Sequence, residues 1–179
     1  MEKIILIGIP NCGKTTLGRR VADKLQLPFF DTDEMVTEKL KPSQTYRLFC
    51  SSFNRQFIIE QYNAVKKLAE HSGPAIISTG AEAALQPDCS EILRKLGKII
   101  LIQRNPEILL ADLLKNPRGP VLREINRGTE INMQAEAVKL YEKEYSKYEA
   151  LADLTFENNG SEDEGVDGLV ALVHTLVGF

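Results

Sequence analysis

Short runs of consecutive apolar residues recur at intervals along the chain. They lie at Ile4–Ile7, 28–30, Ala75–Ile77, Ile99–Ile102 and Leu154–Phe156. Successive side chains of a strand point to opposite faces, so a continuous apolar run predicts a strand that is buried on both faces. The pattern therefore predicts five buried strands.

The segments between these runs carry apolar residues three or four positions apart. This spacing predicts helices over Lys14–Leu25, Arg55–Ala69, Met133–Tyr148 and about Val166–Val177. The sequence NNGSEDEG before the last of them predicts an acidic turn that precedes the helix. Strands that alternate with helices indicate an α/β fold, in which helices cover both faces of a parallel sheet.

The composition is that of an ordinary globular protein. The chain has 179 residues, of which 43% are hydrophobic and 26% charged, and this predicts a single domain over residues 1–179. No apolar stretch approaches the roughly 20 residues of a membrane span, and a formal net charge of -3 does not attract nucleic acid. Since the N-terminus also lacks the pattern of a signal peptide, we expect a cytoplasmic protein without membrane or nucleic-acid partners.

The segment GIPNCGKT, residues 8–15, fits the phosphate-loop pattern G-x-x-x-x-G-K-[ST] and lies between a predicted strand and a predicted helix. Glycines let backbone amides turn toward phosphate oxygens, and the helix N-terminus adds partial positive charge. We therefore predict a nucleoside triphosphate site in which Lys14 reaches the β and γ phosphates and Thr15 ligates Mg²⁺. The predicted contacts with the nucleotide are Pro10, Asn11, Cys12, Gly13, Lys14, Thr15 and Thr16.

Two aspartates follow the second predicted strand, at the end where open α/β sheets bind their ligands. Asp31 is predicted to hold the water shell of Mg²⁺, and Asp33 to orient and deprotonate the hydroxyl of an acceptor. The alternative is that one of the two caps the helix that DTDE opens. A GTPase is disfavoured, because the segment LIQRNPE after the fourth strand has no N-K-x-D motif.

The stretch GIPNCGKTTLGRRVADKLQLPFFDTD resembles the beginning of shikimate kinases, and weaker similarity continues through STG at 78–80, NPRGPVL at 116–122 and YSKYEALADLTF at 145–156. The resemblance implies a three-layer P-loop kinase fold with five parallel strands in the order 2-3-1-4-5, and a monomer. It implies that ATP and Mg²⁺ are used to phosphorylate a ring hydroxyl of shikimate. It also implies a mobile lid over about residues 112–128, in which Arg118 contacts ATP and stabilises the transferred charge.

The residues that correspond to the family's acceptor site depart from its pattern. The resemblance places the acceptor against Asp33, Phe57, Gly80, Ala81 and Glu144. Phe57 and Glu144 stand where the family has arginines that bind the shikimate carboxylate, and Glu82 adds a negative charge. Two alternatives therefore stay open beside shikimate phosphorylation: a kinase for a different small hydroxyl compound, and an ATP-binding regulatory protein without transfer activity.

Overall fold

The computed structural model describes residues 2–39, 55–115 and 133–177. Arg118 and most of the predicted lid therefore lie outside the described residues. The strands are β1 (Lys3–Ile7), β2 (Phe29–Asp31), β3 (Ile76–Ser78), β4 (Gly97–Gln103) and β5 (Leu154–Glu157). The helices are α1 (Lys14–Leu25), α2 (Thr32–Lys39), α3 (Arg55–Glu70), α4 (Ala81–Leu85), α5 (Pro87–Leu96), α6 (Pro106–Lys115), α7 (Met133–Leu151) and α8 (Glu162–Val177).

The five strands form one parallel sheet in the order β2-β3-β1-β4-β5, which confirms the predicted fold. In the centre, Ile5 of β1 pairs with Ile77 of β3 and Ile99 of β4. Every residue of β1 is buried, so helices cover both faces of the sheet centre. The edge strand β5 is mostly exposed, and the prediction of a buried strand is wrong there because the faces of the sheet are covered less completely at β5 than at its centre.

The last helix begins earlier than predicted. The prediction of an acidic turn before a helix at Val166 is wrong. Helix α8 starts at Glu162, and the acidic residues form its first turn. Ser161 Oγ accepts a bond from the Glu164 amide at 3.3 Å, and the Glu164 carboxylate accepts one from the Ser161 amide at 2.8 Å. This is a capping box, which satisfies amides that a helix start otherwise leaves without partners.

Helix α1 lies close to the sheet at Gly18. A Cβ at this position would lie 2.8 Å from the Phe29 ring and 3.0 Å from Leu6 Cδ1. At its outer side α1 packs on α8, where Arg20 pairs with Glu162 and Asp163, both at 2.7 Å. Helix α1 is therefore held against the sheet by close packing and against α8 by exposed ion pairs. Within the described ranges, no helix has both the length and the apolar character needed to cross a membrane.

Candidate active site

The loop between β1 and α1 is a closed turn pressed against the neighbouring strand ends. Its backbone has positive φ at Gly8 (144°), Asn11 (65°) and Gly13 (100°), which are conformations that favour glycine and tolerate asparagine. A Cβ at Gly8 would lie 2.6 Å from the carbonyl oxygen of Ile102, and one at Gly13 would lie 2.7 Å from Asn158 Nδ2. Close packing and backbone conformation thus both require the two glycines of the motif.

The ammonium group of Lys14 lies across this loop. Its Nζ donates to the carbonyl oxygens of Gly8 at 2.8 Å and Ile9 at 3.0 Å, and lies 3.6 Å from Cys12 Sγ. Lys14 is only 8% exposed. A buried cation beside the N-terminus of α1 places two sources of positive charge next to each other, and a polyphosphate is the ligand that this charge suits.

Three side-chain oxygens meet where α1 begins and β2 and β3 end. Thr15 Oγ1 donates to Asp31 Oδ2 at 2.8 Å and lies 3.4 Å from Ser78 Oγ. Hydroxyl and carboxylate oxygens are the donors that Mg²⁺ prefers, so Thr15 and Asp31 fit the predicted ion. No cluster of three His, Cys, Asp or Glu residues suited to a metal occurs in the part of the chain that the structure describes. An ion at this site would therefore also need phosphate or water oxygens as ligands.

The carboxylate of Asp33 packs directly on Gly80. A Cβ at Gly80 would overlap Asp33 Oδ1, so the absence of a side chain makes room for the carboxylate. The Gly80 amide donates to Thr32 Oγ1 at 2.7 Å, which ties the end of β3 to the start of α2. The strands are parallel, so their carboxyl ends lie at the same end of the sheet. Asp33, just after β2, therefore lies at the same end as the phosphate loop, which follows β1.

Tyr148 connects α7 to the segment that follows β3. It is fully buried, and its hydroxyl donates to the carbonyl oxygen of Ala81 at 2.8 Å. Burial is the main reason why the pKa of the Tyr148 hydroxyl lies well above its usual value, and the nearby carboxylates of Glu144, Glu82 and Asp33 raise it further. Of the predicted acceptor residues, Ala81 therefore contacts Tyr148, Asp33 packs on Gly80, and Glu144 lies near enough to raise the pKa of the Tyr148 hydroxyl.

Phe57 is placed differently from the other predicted acceptor residues. It is 4% exposed and packs with Val36, Ala64 and Met35 in a small apolar cluster between α2 and α3. An arginine there would bring a charge into this cluster, whereas the phenylalanine ring fills it with apolar surface. In this structure Phe57 stabilises the contact between α2 and α3.

Sequence reasoning missed three polar residues that contact the phosphate loop or Thr15. Ser78 lies near Thr15, Asn158 Nδ2 donates to the Cys12 carbonyl oxygen at 3.0 Å, and Arg104 Nη1 donates to the Asn11 carbonyl oxygen at 3.4 Å. Their positions in the sequence, at or just after predicted strands, could have identified them. Ser78 ends β3, Arg104 follows β4 and Asn158 follows β5, and the carboxyl ends of parallel strands face the ligand crevice.

The chain is similar in sequence to a known family of enzymes. A sequence model of the family described as Shikimate kinase matches residues 10–173. The chain is 34% identical over 158 residues to the shikimate kinase of Clostridium beijerinckii, which covers 88% of this chain and 86% of that protein. It is 27% identical over 169 residues to the shikimate kinase of Enterococcus faecalis, which covers 93% of this chain and 94% of that protein.

Solved structures share the fold. A shikimate kinase from Acinetobacter baumannii in complex with shikimate has a TM-score of 0.80 at 21% identity, over 99% of this chain and 94% of that chain. A gluconokinase from Sinorhizobium meliloti has a TM-score of 0.61 at 14% identity, over 99% of this chain and 94% of that chain. At these identities the structural similarity concerns the fold alone.

Proposed function

Because the chain belongs to the shikimate kinase family, we propose that it transfers the γ-phosphoryl group of ATP to a ring hydroxyl of shikimate. The observation that carries the proposal is the Lys14 ammonium, which is held across a closed glycine loop at the sheet edge that Asp33 also reaches. A cation at a polyphosphate site beside a carboxylate at an alcohol site is the arrangement that phosphoryl transfer requires.

The nucleotide end of the site is the loop from Gly8 to Thr16. Backbone amides at the start of α1 and the Lys14 ammonium bind phosphate oxygens, since both present positive charge there. Thr15 and Asp31 would hold Mg²⁺, which supplies neutralisation of the β and γ phosphates when bound. Arg118, on the proposed lid over about residues 112–128, would contact the transferred group.

At the acceptor end, Asp33 positions the attacking hydroxyl and accepts its proton. The bond from the acceptor oxygen to the γ phosphorus forms as the bond from that phosphorus to the bridging oxygen breaks, and ADP leaves. Gly80 gives the Asp33 carboxylate its place, and Tyr148 fixes the Ala81 carbonyl next to it. These contacts hold the two ends of the site in one geometry, which lowers the entropic part of the barrier.

The proposal is tested by the release of ADP with ATP, Mg²⁺ and shikimate. We expect saturable turnover, and a loss of at least about 100-fold in kcat for Lys14→Met, because that variant keeps the alkyl chain but removes the charge that stabilises the transferred group. Lys24→Ala, at the exposed end of α1 where Lys24 pairs with Asp167, is the matched control and keeps full activity. A folded Lys14→Met variant whose kcat stays within about tenfold of the wild type contradicts the proposal.

A second candidate is a kinase for a small hydroxyl compound other than shikimate. It is favoured by the carboxylates of Glu82 and Glu144 near Tyr148, since like charges repel the carboxylate of shikimate, and by the burial of Phe57 in an apolar cluster. The same assay with gluconate and nucleoside monophosphates separates the candidates. A higher kcat/KM with one of these than with shikimate supports the second candidate, and ATP binding without any turnover supports a regulatory protein.

We further propose a monomer in the cytoplasm, folded as one domain over residues 1–179, without nucleic-acid or membrane partners. The net charge of -3 supports the absence of nucleic-acid partners, the described helices include none suited to cross a membrane, and the monomer follows from the resemblance to the family. Light scattering after gel filtration tests the oligomeric state, and a mass near 20.0 kDa is the expected result.

A further inference from the structure

Asn158 is a buried residue that reaches the phosphate loop from the edge of the sheet. It directly follows β5 and is 9% exposed. Its backbone amide donates to the Gln103 carbonyl oxygen, at the end of β4, at 2.7 Å. Its side-chain Nδ2 donates to the carbonyl oxygen of Cys12, in the phosphate loop, at 3.0 Å. The side chain therefore joins the edge strand to the phosphate loop, in a contact that the proposed transfer step does not use.

Two glycines enclose the side-chain amide of Asn158. A Cβ at Gly13, at the start of α1, would lie 2.7 Å from Nδ2, and a Cβ at Gly165, in α8, would lie 2.8 Å from Oδ1. If the amide were turned over, Oδ1 would face the Cys12 carbonyl oxygen, and two acceptors would then meet without a donor. The surroundings therefore fix both the place and the orientation of the amide.

The bond to Cys12 determines the direction of the next backbone amide. The Cys12 carbonyl and the Gly13 N–H belong to one planar trans peptide, in which they point to opposite sides. Because the carbonyl oxygen points at Asn158, the Gly13 N–H points away from Asn158. The Gly13 carbonyl oxygen accepts the Leu17 amide at 2.9 Å, so Gly13 begins α1. Amides at the start of a helix have no partner within the helix, and the Gly13 N–H is such a donor.

The peptide between Cys12 and Gly13 needs an external bond to keep this direction. Gly13 has a φ of 100°, and glycine adopts positive and negative φ about equally well. Rotation of the peptide about its neighbouring bonds is therefore cheap, and it would turn the N–H to another side. The Asn158 bond opposes that rotation because it holds the carbonyl oxygen.

We propose that Asn158 is a positioning residue that holds the Cys12 carbonyl so that the Gly13 amide donates to a phosphate oxygen of the nucleotide. This role rests on the proposed function, because it requires a polyphosphate in the loop. A donor that is already oriented binds without the entropic cost of ordering it, and a bond to a charged oxygen is stronger than one between neutral groups. Loss of the Asn158 donor is therefore expected to weaken polyphosphate binding by about 3- to 30-fold.

The first test measures the binding of ATP and of inorganic tripolyphosphate by isothermal titration calorimetry at a fixed Mg²⁺ concentration. Asn158→Ala is expected to weaken both by the same factor, about 3- to 30-fold, because the Gly13 amide contacts phosphate and not the nucleoside. Asn158→Asp keeps the shape that fills the space between the two glycines but lacks the Nδ2 donor. It is expected to lose at least as much affinity, since its carboxylate also repels phosphate.

The second test observes the Gly13 amide itself by NMR. Cys12–Gly13 is the only place in the sequence where a glycine follows a cysteine. Cysteine labelled with ¹³C at the carbonyl, combined with glycine labelled with ¹⁵N, therefore gives the signal of this amide alone. In the wild type, tripolyphosphate is expected to move the amide proton downfield, as a bond to a charged oxygen does. In Asn158→Ala at saturating tripolyphosphate the shift is expected to be smaller, an effect that a loss of stability alone would not produce.

Asn159→Ala is the matched control. Asn159 lies in the same loop, and its Oδ1 accepts the Asn105 amide at 2.6 Å, so the variant breaks a bond between the loops after β4 and β5 but not the bond to Cys12. It is expected to keep both affinities and the wild-type shift of the Gly13 signal.

Several results would overturn the role of Asn158. They are unchanged tripolyphosphate binding in a folded Asn158→Ala or Asn158→Asp variant, a loss for ATP alone, and a Gly13 signal that does not respond when the wild type binds tripolyphosphate. A wild type that binds neither ATP nor tripolyphosphate instead contradicts the proposed function itself, so the two failures are distinguishable.

Discussion

The two oxygens of the Asp31 carboxylate bind different partners. Oδ1 accepts bonds from the amides of Asp33 at 2.9 Å and Glu34 at 3.3 Å, and Oδ2 accepts the Thr15 hydroxyl at 2.8 Å. From the sequence, a cap of α2 and a role at the phosphate site were alternative predictions for Asp31. A carboxylate has two oxygens with several acceptor positions, so both can hold at once. Asp31 caps α2 with one oxygen and meets Thr15 with the other.

Tyr148 predicts a specific dependence of stability on pH. Because the pKa of its hydroxyl is raised in the native state, the native state keeps this proton when the unfolded chain loses it above about pH 10. The free energy of unfolding is therefore unaffected by Tyr148 below that pH and falls above it, by up to about 1.4 kcal/mol per pH unit.

Tyr148→Phe removes this titration and is expected to show a shallower decline of stability above pH 10. At neutral pH it costs about 0.5 to 1.5 kcal/mol, since the half-buried Ala81 carbonyl oxygen loses its donor. Urea unfolding of both proteins between pH 7 and pH 11 measures the difference. Parallel curves across the whole range would show that the hydroxyl titrates alike in both states.

At the scale of elements, the helix starts depend on short polar signatures. The capping box at Ser161 and Glu164 begins α8, although acidic residues with a glycine in the same segment predicted a turn. The signature S-x-x-E was present in the sequence and indicates a helix start with a specific pair of bonds. Composition alone gave a wrong boundary here because it ignores which side chain can reach which amide.

Gly18 makes a prediction about how α1 packs on the sheet. Gly18→Ala places a methyl group 2.8 Å from the Phe29 ring and 3.0 Å from the buried Leu6, so we expect a loss of about 1 to 3 kcal/mol in stability. Gly168→Ala, in α8, is the contrasting variant. Its methyl group would meet the half-buried Phe156 ring at 3.1 Å, and the gain in helix propensity of up to about 1 kcal/mol offsets the smaller clash.

Chemical denaturation of both variants measures these changes in the free energy of unfolding. If Gly18→Ala is as stable as the wild type, α1 is able to move outward without cost, and the close contact does not determine its position.

For the whole molecule, the site is assembled from the carboxyl ends of all five strands. The phosphate loop follows β1, Asp31 ends β2, Ser78 ends β3, and polar residues follow β4 and β5. A ligand that joins these ends stabilises the native state as a whole. ATP at about 100 times its Kd is expected to add about 2.7 kcal/mol, which is roughly 5 to 10 °C in Tm for a chain of this length.

Thermal melts with and without ATP and Mg²⁺ test this, and Lys14→Met is expected to lose the shift. An unchanged Tm of the wild type at a concentration that saturates binding in calorimetry would show that the ligand binds native and unfolded chains alike.

The sequence by itself determined the α/β class, the phosphate loop and the two aspartates that follow β2. These features depend on local pattern, because burial on both faces, tight turns and strand ends leave their marks within about ten residues. The resemblance to the family added the strand order, which periodicity does not contain.

Only the tertiary structure decided which distant residues meet. The contacts of Asp33 with Gly80 and of Tyr148 with Ala81 join segments whose separation in sequence carries no sign of their contact. The same holds for Arg104 at the rim of the loop. The physical reason is that the sheet order and the close packing of helices on it set these distances, and both arise from the chain as a whole.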